Sequence, residues 1–197
     1  MNYNPITINI VAGKYPMAEV CVLSFRSFCP HTPIIVSLNE AEIYRKGFFD
    51  KFDVNLKVVN KSNFVLQMDN MVKECNTEFF ASCGDEILFI KGGIIEKALN
   101  LINSGYYSFV GKFCPYTETP TFIMPRLDIS FLVGRTDEFI LNDMTFLDKK
   151  IDVNCHNHDT DIKSIFFDKG AFIFMDILKY RLKFVLYEFN EFITRQS

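Results

Sequence analysis

Two short stretches of this chain carry side chains suited to chemistry. The first is Phe79-Phe80-Ala81-Ser82-Cys83-Gly84-Asp85-Glu86, where an apolar run ends in a glycine and two adjacent carboxylates. Carboxylates at the carboxyl end of a strand in an open α/β sheet face the crevice where ligands collect. Asp85, with Glu86 as a helper, would suit Mg²⁺ or Mn²⁺, hard ions that take oxygen ligands and share them with phosphates. Such an ion acts as a Lewis acid on a departing diphosphate. The second stretch is Cys155-His156-Asn157-His158-Asp159-Thr160-Asp161, which gathers two imidazoles, two carboxylates and a thiol within seven positions. Its spacing matches no established zinc pattern, and the one other histidine in the chain is His31. Asp159 fits two roles: the N-cap of a helix starting at Thr160, with Asp161 in its first turn, or a general base reaching the proton of an incoming hydroxyl. Positions two apart on a helix diverge, so Asp159 and Asp161 would not share one task. A metal-dependent hydrolase built on His156, His158, Asp159 and Asp161 is the competing chemistry for this stretch.

The elements that must position these groups alternate. Ile6-Thr7-Ile8-Asn9-Ile10-Val11 is β-branched enough for a strand and ends at Ala12-Gly13. Pro16 suits the first turn of a helix whose apolar residues, Val20, Cys21, Val22, Leu23, Phe25 and Phe28, imply burial on more than one side. Further strands are predicted over 33–37 and 54–59, with helices over 41–51 and from the polar Asn60-Lys61-Ser62 to about 75. After the acidic turn, Lys91-Gly92-Gly93 opens a helix over 94–102. Repeated strand-then-helix units predict right-handed crossovers and a mainly parallel sheet. The later half reads as strands over 108–113 and 129–134 separated by a proline-marked loop over 115–125, then a helix over 137–146, a polar connection over 149–157, and a helix from Ile162 through Ile165 and Phe166. The expectation is a single α/β domain over 1–197, with a nucleotide-binding half over 1–105 and an acceptor half over 106–197.

A chain of 197 residues with 49% hydrophobic content can bury one large core. Its formal charge of −3, with both signs dispersed, lacks the basic footprint of a nucleic-acid binder. The N-terminus shows no charged segment followed by an apolar one and a cleavage site, and no run is apolar enough to span a bilayer, so a soluble cytoplasmic chain is expected. The six cysteines have no CxxC spacing and read mostly as small buried hydrophobes, with disulfides left open. The run from Tyr180 to Phe189 mixes aromatics with charge. It reads as core or oligomer contact, with peripheral membrane contact as the alternative.

Taken in order, these segments resemble the GT-A-type glycosyltransferases, especially the large inverting family of polysaccharide-building enzymes. Cys83-Gly84-Asp85-Glu86 sits where that family has its DXD motif, and 87–96 is similar to the run into the next helix. His158-Asp159-Thr160-Asp161-Ile162, followed by Lys169-Gly170, looks like the segment bearing the family's catalytic aspartate. Asp69-Asn70 resembles an Arg-Asn pair on the helix before the DXD strand, and Val11-Ala12-Gly13 occupies the first nucleotide-contacting loop. The resemblance spans most of 5–175 and implies a GT-A fold that transfers a sugar from a nucleotide-sugar to an acceptor hydroxyl with inversion. It implies Asp159 as base and Asp85 with Glu86 as ligands of Mn²⁺ or Mg²⁺. Val11, Ala12, Gly13, Asn39 and Asn70 would line the nucleotide pocket, with Asp161, Cys83 and His158 as secondary site residues. The acceptor would be a glycan, a protein or a lipid-linked molecule, and nucleic acid is not an expected partner. Departures are that Cys83 replaces the first DXD aspartate, Asp69 replaces an arginine, and Ser37 and Asn39 stand where acidic residues often hold the nucleoside. They keep a catalytically inactive nucleotide- or partner-binding module as an alternative. Length and overall look also resemble short glycosyltransferase-like proteins of turreted icosahedral viruses of hot-spring archaea, which would place the chain in a host cytoplasm.

Overall fold

The computed structural model describes residues 5–60, 64–114, 126–146, 150–151, 165–166 and 176–196. Its centre is a seven-stranded sheet in the order β10-β6-β7-β4-β1-β2-β3. The strands are β1 (Ile6–Val11), β2 (Ile34–Asn39), β3 (Asn55–Val59), β4 (Phe79–Gly84), β6 (Phe109–Cys114), β7 (Arg126–Arg135) and β10 (Phe184–Leu186). β7 runs antiparallel to both of its neighbours, and the other pairings in this sheet are parallel. The mainly parallel α/β architecture read from the sequence is therefore the one observed.

All six residues of β1 and of β4 are buried, as central strands covered on both faces must be. Ile6, Ile8 and Ile10 face one layer with Phe79, Ala81 and Cys83, against α1 (Met17–Phe28) and α4 (Ile94–Ser104). The opposite face carries Val11, Phe80, Phe109 and Leu132 against Met68, Met71 and Val72 of α3 (Phe64–Lys73) and Phe139 of α5 (Thr136–Leu141). Strand order reverses at β1, with β2 on one side and β4 on the other, so a crevice forms outside the carboxyl ends of β1 and β4.

The sequence expectations need several corrections. The helix expected over 41–51 is instead a 3-10 turn (Glu40–Arg45), a short helix α2 (Lys46–Phe49) and another 3-10 turn (Asp50–Phe52), with Asp53 in the left-handed region. Only Arg45 and Phe49 are buried in this segment, so it has no apolar stripe to sustain a regular helix. Between the acidic turn and α4 lies β5 (Ile87–Phe89), which pairs antiparallel with β11 (Ile193–Arg195). Residues 165–166 form a strand, β9, paired with β8 (Lys150–Ile151), not part of a helix. The helix after β7 stops at Leu141, short of the predicted 146. The C-terminal run contributes β10 to the sheet edge and buries Phe189, which favours the core reading. Among the described residues no helix is long and apolar enough to cross a membrane. The predicted loop over 115–125 and the helix cap at 60–62, apart from Asn60, lie outside the described residues.

Phe80 is fully buried, with ring centroids 5.3 Å from Phe139 and 6.4 Å from both Phe109 and Phe146. It joins β4 to elements from both halves of the chain. Phe80→Ala is expected to cost about 3–5 kcal/mol in urea unfolding, and a loss below about 1 kcal/mol would show that this face packs loosely.

Candidate functional site

At the crevice, the backbone leaving β1 meets the turn leaving β4. The Gly13 N–H donates to Asp85 Oδ2 at 2.8 Å, and the preceding Ala12 N–H donates to the Ser37 carbonyl at 2.8 Å. A side chain at position 13 would put its Cβ 2.8 Å from Asp85 Oδ2, so a larger residue there would push the carboxylate off the Gly13 amide. The other side of Gly13 is held by Arg45, whose Nη1 donates to the Gly13 carbonyl at 2.9 Å. Arg45 is buried, and its Nε and Nη2 grip the two oxygens of Glu19, each at 2.7 Å, while Nη1 also reaches Glu42 at 2.9 Å. Burial pulls the Arg45 pKa down, but the hydrogen bond and charge of Glu19, joined by Glu42, outweigh it and leave the guanidinium firmly charged.

The acidic turn is fixed from behind by the C-terminus. The Gln196 N–H donates to the Glu86 carbonyl at 2.7 Å, and its side-chain amide donates to the carbonyls of Asp85 and Met17 at 3.2 Å and of Ile87 at 3.5 Å. Asp85 and Glu86 are both half-buried, and the Glu86 carboxylate folds over Gly84, where an added Cβ would collide with it. Burial raises the Asp85 pKa, the charge of Glu86 adds to the rise, and the Gly13 N–H opposes it. Two crowded carboxylates offering hard oxygens, one of them only partly satisfied by a backbone amide, suit a divalent cation that also takes phosphate oxygens. Among the described residues no group of three potential metal-ligating side chains converges.

Other sequence candidates fall elsewhere. Cys83 is fully buried in the layer against α1, with Sγ 3.8 Å from Cys21 Sγ, and burial pushes its pKa far up. It is a core thiol, not a metal-facing group. Val11 is buried beneath the crevice, Ala12 is half-buried, and Asn39 accepts from Ala41 N–H at 2.9 Å as a cap. Asn70 is exposed, whereas its neighbour Asp69 is buried and accepts from Phe146 N–H at 2.7 Å and from the Thr145 hydroxyl. His156, His158, Asp159 and Asp161 lie outside the described residues, as does Cys155.

Two site residues were missed by the sequence reading. One is Arg45. The other is Gln67 on α3, buried beside β2, whose Oε1 accepts from the Ser37 hydroxyl while Nε2 is enclosed with no hydrogen-bond partner among the described residues. A buried amide missing a partner is costly, and here it lies near the carboxyl end of β2 at the crevice. Neither residue belongs to a motif; only a charged or amide residue inside an otherwise packing segment could have marked them.

No protein-family model and no curated protein matches this chain. Solved structures do. S. aureus TarS superposes with TM-score 0.64 at 9% identity, covering 98% of this chain but 36% of that one. A Pyrobaculum calidifontis mannosyltransferase, in complex with GDP-Man and Mn²⁺, gives TM-score 0.63 at 7% identity, covering 95% of this chain and 56% of that one. A 4-diphosphocytidyl-2C-methyl-D-erythritol synthase from Anaerococcus prevotii gives 0.53 at 12% identity, covering 93% and 87%. A shorter piece of TarS has been solved with UDP-GlcNAc. These likenesses show the fold, a GT-A-like sheet and helix arrangement. This chain spans about a third of the length of the TarS chain and just over half that of the mannosyltransferase. None of these structures lends support to a viral origin.

Because burial raises the pKa of Asp85 above its ordinary 3.8, the folded protein holds that proton more tightly than the unfolded chain. Stability therefore falls as pH rises from 3.8 through the raised value, and the ionised carboxylate is unfavourable above it. Asp85→Asn keeps an acceptor for Gly13 and removes the charge. Without divalent cations, it is expected to raise the urea midpoint at neutral pH, with the gain vanishing as pH falls through the window. A gain that does not vary with pH would contradict the burial of the charge.

Proposed function

We propose that this chain binds a nucleotide-sugar in the crevice outside the carboxyl ends of β1 and β4, beside Gly13 and Asp85, and transfers the sugar to an acceptor hydroxyl. The observation that carries the reading is the Gly13 N–H to Asp85 contact at the reversal of strand order, where α/β sheets collect ligands. The solved relatives with GDP-Man and UDP-GlcNAc support the same ligand class. Val11, Ala12, Gly13, Asn39 and Asn70 are assigned to the nucleotide side, with the unpartnered Gln67 amide turned toward a carbonyl or ring nitrogen of the base. Asp85 and Glu86 would hold Mn²⁺ or Mg²⁺, which when bound supplies charge neutralisation at the diphosphate.

Asp159 is the proposed base, with His158 and Asp161 as secondary site residues. Its carboxylate takes the acceptor hydroxyl proton as the acceptor oxygen bonds to the anomeric carbon. The bond from that carbon to the diphosphate oxygen breaks, and its electron pair leaves with the nucleoside diphosphate. Attack from the face opposite the leaving group inverts the anomeric centre.

A second reading is nucleotidyl transfer, favoured by the 87% coverage of the diphosphocytidyl synthase chain. The two differ in products: nucleoside diphosphate for sugar transfer, pyrophosphate for nucleotidyl transfer. Calorimetry with UDP, GDP and CDP, with and without Mn²⁺, followed by product analysis in two parallel assays, one with the matching nucleotide-sugar and an acceptor and one with the nucleoside triphosphate and a sugar phosphate, tests the proposal. Sugar transfer predicts Mn²⁺-dependent binding that Asp85→Ala removes, and a fall of about 10²-fold or more in turnover for Asp159→Ala with donor affinity retained. Unchanged turnover in both variants removes the mechanism, and Mn²⁺-independent binding without turnover identifies a silent binding module.

Gln67→Met tests the base contact. Loss of one hydrogen bond worth about 1–2 kcal/mol should weaken the preferred nucleotide roughly tenfold and the others less. Equal weakening of all three would make Gln67 a packing residue only.

A further inference from the structure

A cavity of about 520 Å³ opens beside the acidic turn, between the β5–β11 pair and the β6–β7 pair. Its volume is within the roughly 300–1,000 Å³ of small-molecule sites. The floor is apolar, with Ile87, Phe131 and Phe189 all buried in the core layer below. The rim is polar and ordered. Asp128 Oδ1 accepts from the Ser130 N–H at 2.9 Å, and Asp128 Oδ2 accepts from Arg195 Nη2 at 2.8 Å. The same Nη2 reaches Ser130 Oγ at 3.1 Å. Across the opening, Asn190 donates to Glu188 at 2.8 Å, which leaves its amide oxygen as an acceptor.

The position ties this cavity to the crevice. Phe131 pairs with Cys83, so Ser130 and Asp128 lie past it in the direction of the carboxyl end of β4. Ile87 follows Asp85 by two positions, and Gln196, next to Arg195, donates to the Asp85 carbonyl.

The charge pattern selects the ligand. Among the described residues, the two cations on the rim already face carboxylates, Arg195 on Asp128 and Lys112 at 4.0 Å from Glu188. An anion would have to displace these pairs. What the rim offers is donor and acceptor groups, the Arg195 guanidinium, the Asn190 amide, the Ser130 hydroxyl and the Asp128 carboxylate, above a hydrocarbon floor, which match a molecule with a hydroxyl edge and an aliphatic face. We infer that this cavity is a subsite for a neutral carbohydrate, the acceptor of the transfer reaction. The acceptor role rests on the function proposed above; the binding of saccharide does not.

The test separates the two. In protein labelled at isoleucine methyls, Ile87, Ile90 and Ile193 report on the cavity without nucleotide or metal. Methyl glucoside, N-acetylglucosamine and cellobiose are titrated to about 50 mM, a range that reaches millimolar affinities, with inorganic phosphate as the anionic comparison. At least one saccharide is expected to shift these three methyls while phosphate leaves them in place. Asn190→Ala and Asp128→Asn should weaken that saccharide about fivefold or more, equal to roughly 1 kcal/mol. Asn190 is exposed and makes no core contact, so its variant guards against a folding artefact in the other. With an active donor, Asn190→Ala should raise the acceptor KM with kcat little changed. Silence of all three methyls to every saccharide, or a stronger response to phosphate, overturns the inference. A saccharide response in a protein that binds no nucleotide would instead sink the transfer reading and leave the subsite standing.

Discussion

The crevice depends on a charge that has been taken out of water. Arg45 cannot lose its proton, so enclosing it demands carboxylates close at hand, and Glu19 from α1 and Glu42 from its own turn provide them. Removing one partner of such a pair typically costs about 3–5 kcal/mol, because the other is left buried and unpaired. The remaining capacity of the guanidinium goes to the carbonyl of Gly13, and that fixes the peptide whose neighbouring N–H meets Asp85. An ion pair between a helix and an irregular turn thus decides where the backbone after β1 ends up. The same demand explains why the segment after β2 is broken: it is organised around one enclosed cation and not around an apolar stripe.

Much of the frame was legible from the order of residues, for a physical reason. β1 and β4 are covered on both faces, so they are written as β-branched and apolar residues broken only by the small polar side chains Thr7, Asn9 and Ser82, and α4 shows its buried Ile94, Ile95, Ala98 and Ile102 at helical spacing. Short elements that depend on distant partners could not be read this way. β5 has three residues and pairs with a strand a hundred positions later, so neither periodicity nor a local turn marks it. The contacts of Gln67 and Arg45 are likewise set by tertiary packing alone. Asp85 was legible because its chemistry is announced by its neighbours: an apolar strand, a glycine, then charge.

The departures from the glycosyltransferase pattern have a common physical sense. Cys83 occupies a fully buried position against Cys21, where a carboxylate would be desolvated and would lie near Asp85 and Glu86, two further negative groups. A thiol, held neutral by that burial, fits the space as a small hydrophobe. Asp69, at the place of an expected arginine, spends both oxygens on the segment after α5 and so belongs to the packing between α3 and the later half. Among the described residues, both side chains are thus packed away from the crevice, where Asp85 and Glu86 remain as the carboxylates of the acidic turn.

The C-terminus bears directly on the geometry of the acidic turn. The turn has only two residues between β4 and β5, and β5 alone would be a marginal strand. Pairing with β11 gives β5 a partner, and Gln196 then satisfies carbonyls at positions 85, 86 and 87 together with that of Met17 at the start of α1. Four carbonyls from two elements are thus gathered by one residue, whose cost of ordering is small because β11 has already placed its backbone. Asp85 is held between two independent restraints, the Gly13 amide in front and this amide behind. A carboxylate so placed would need little reorganisation to meet a ligand, because its position is set before anything binds.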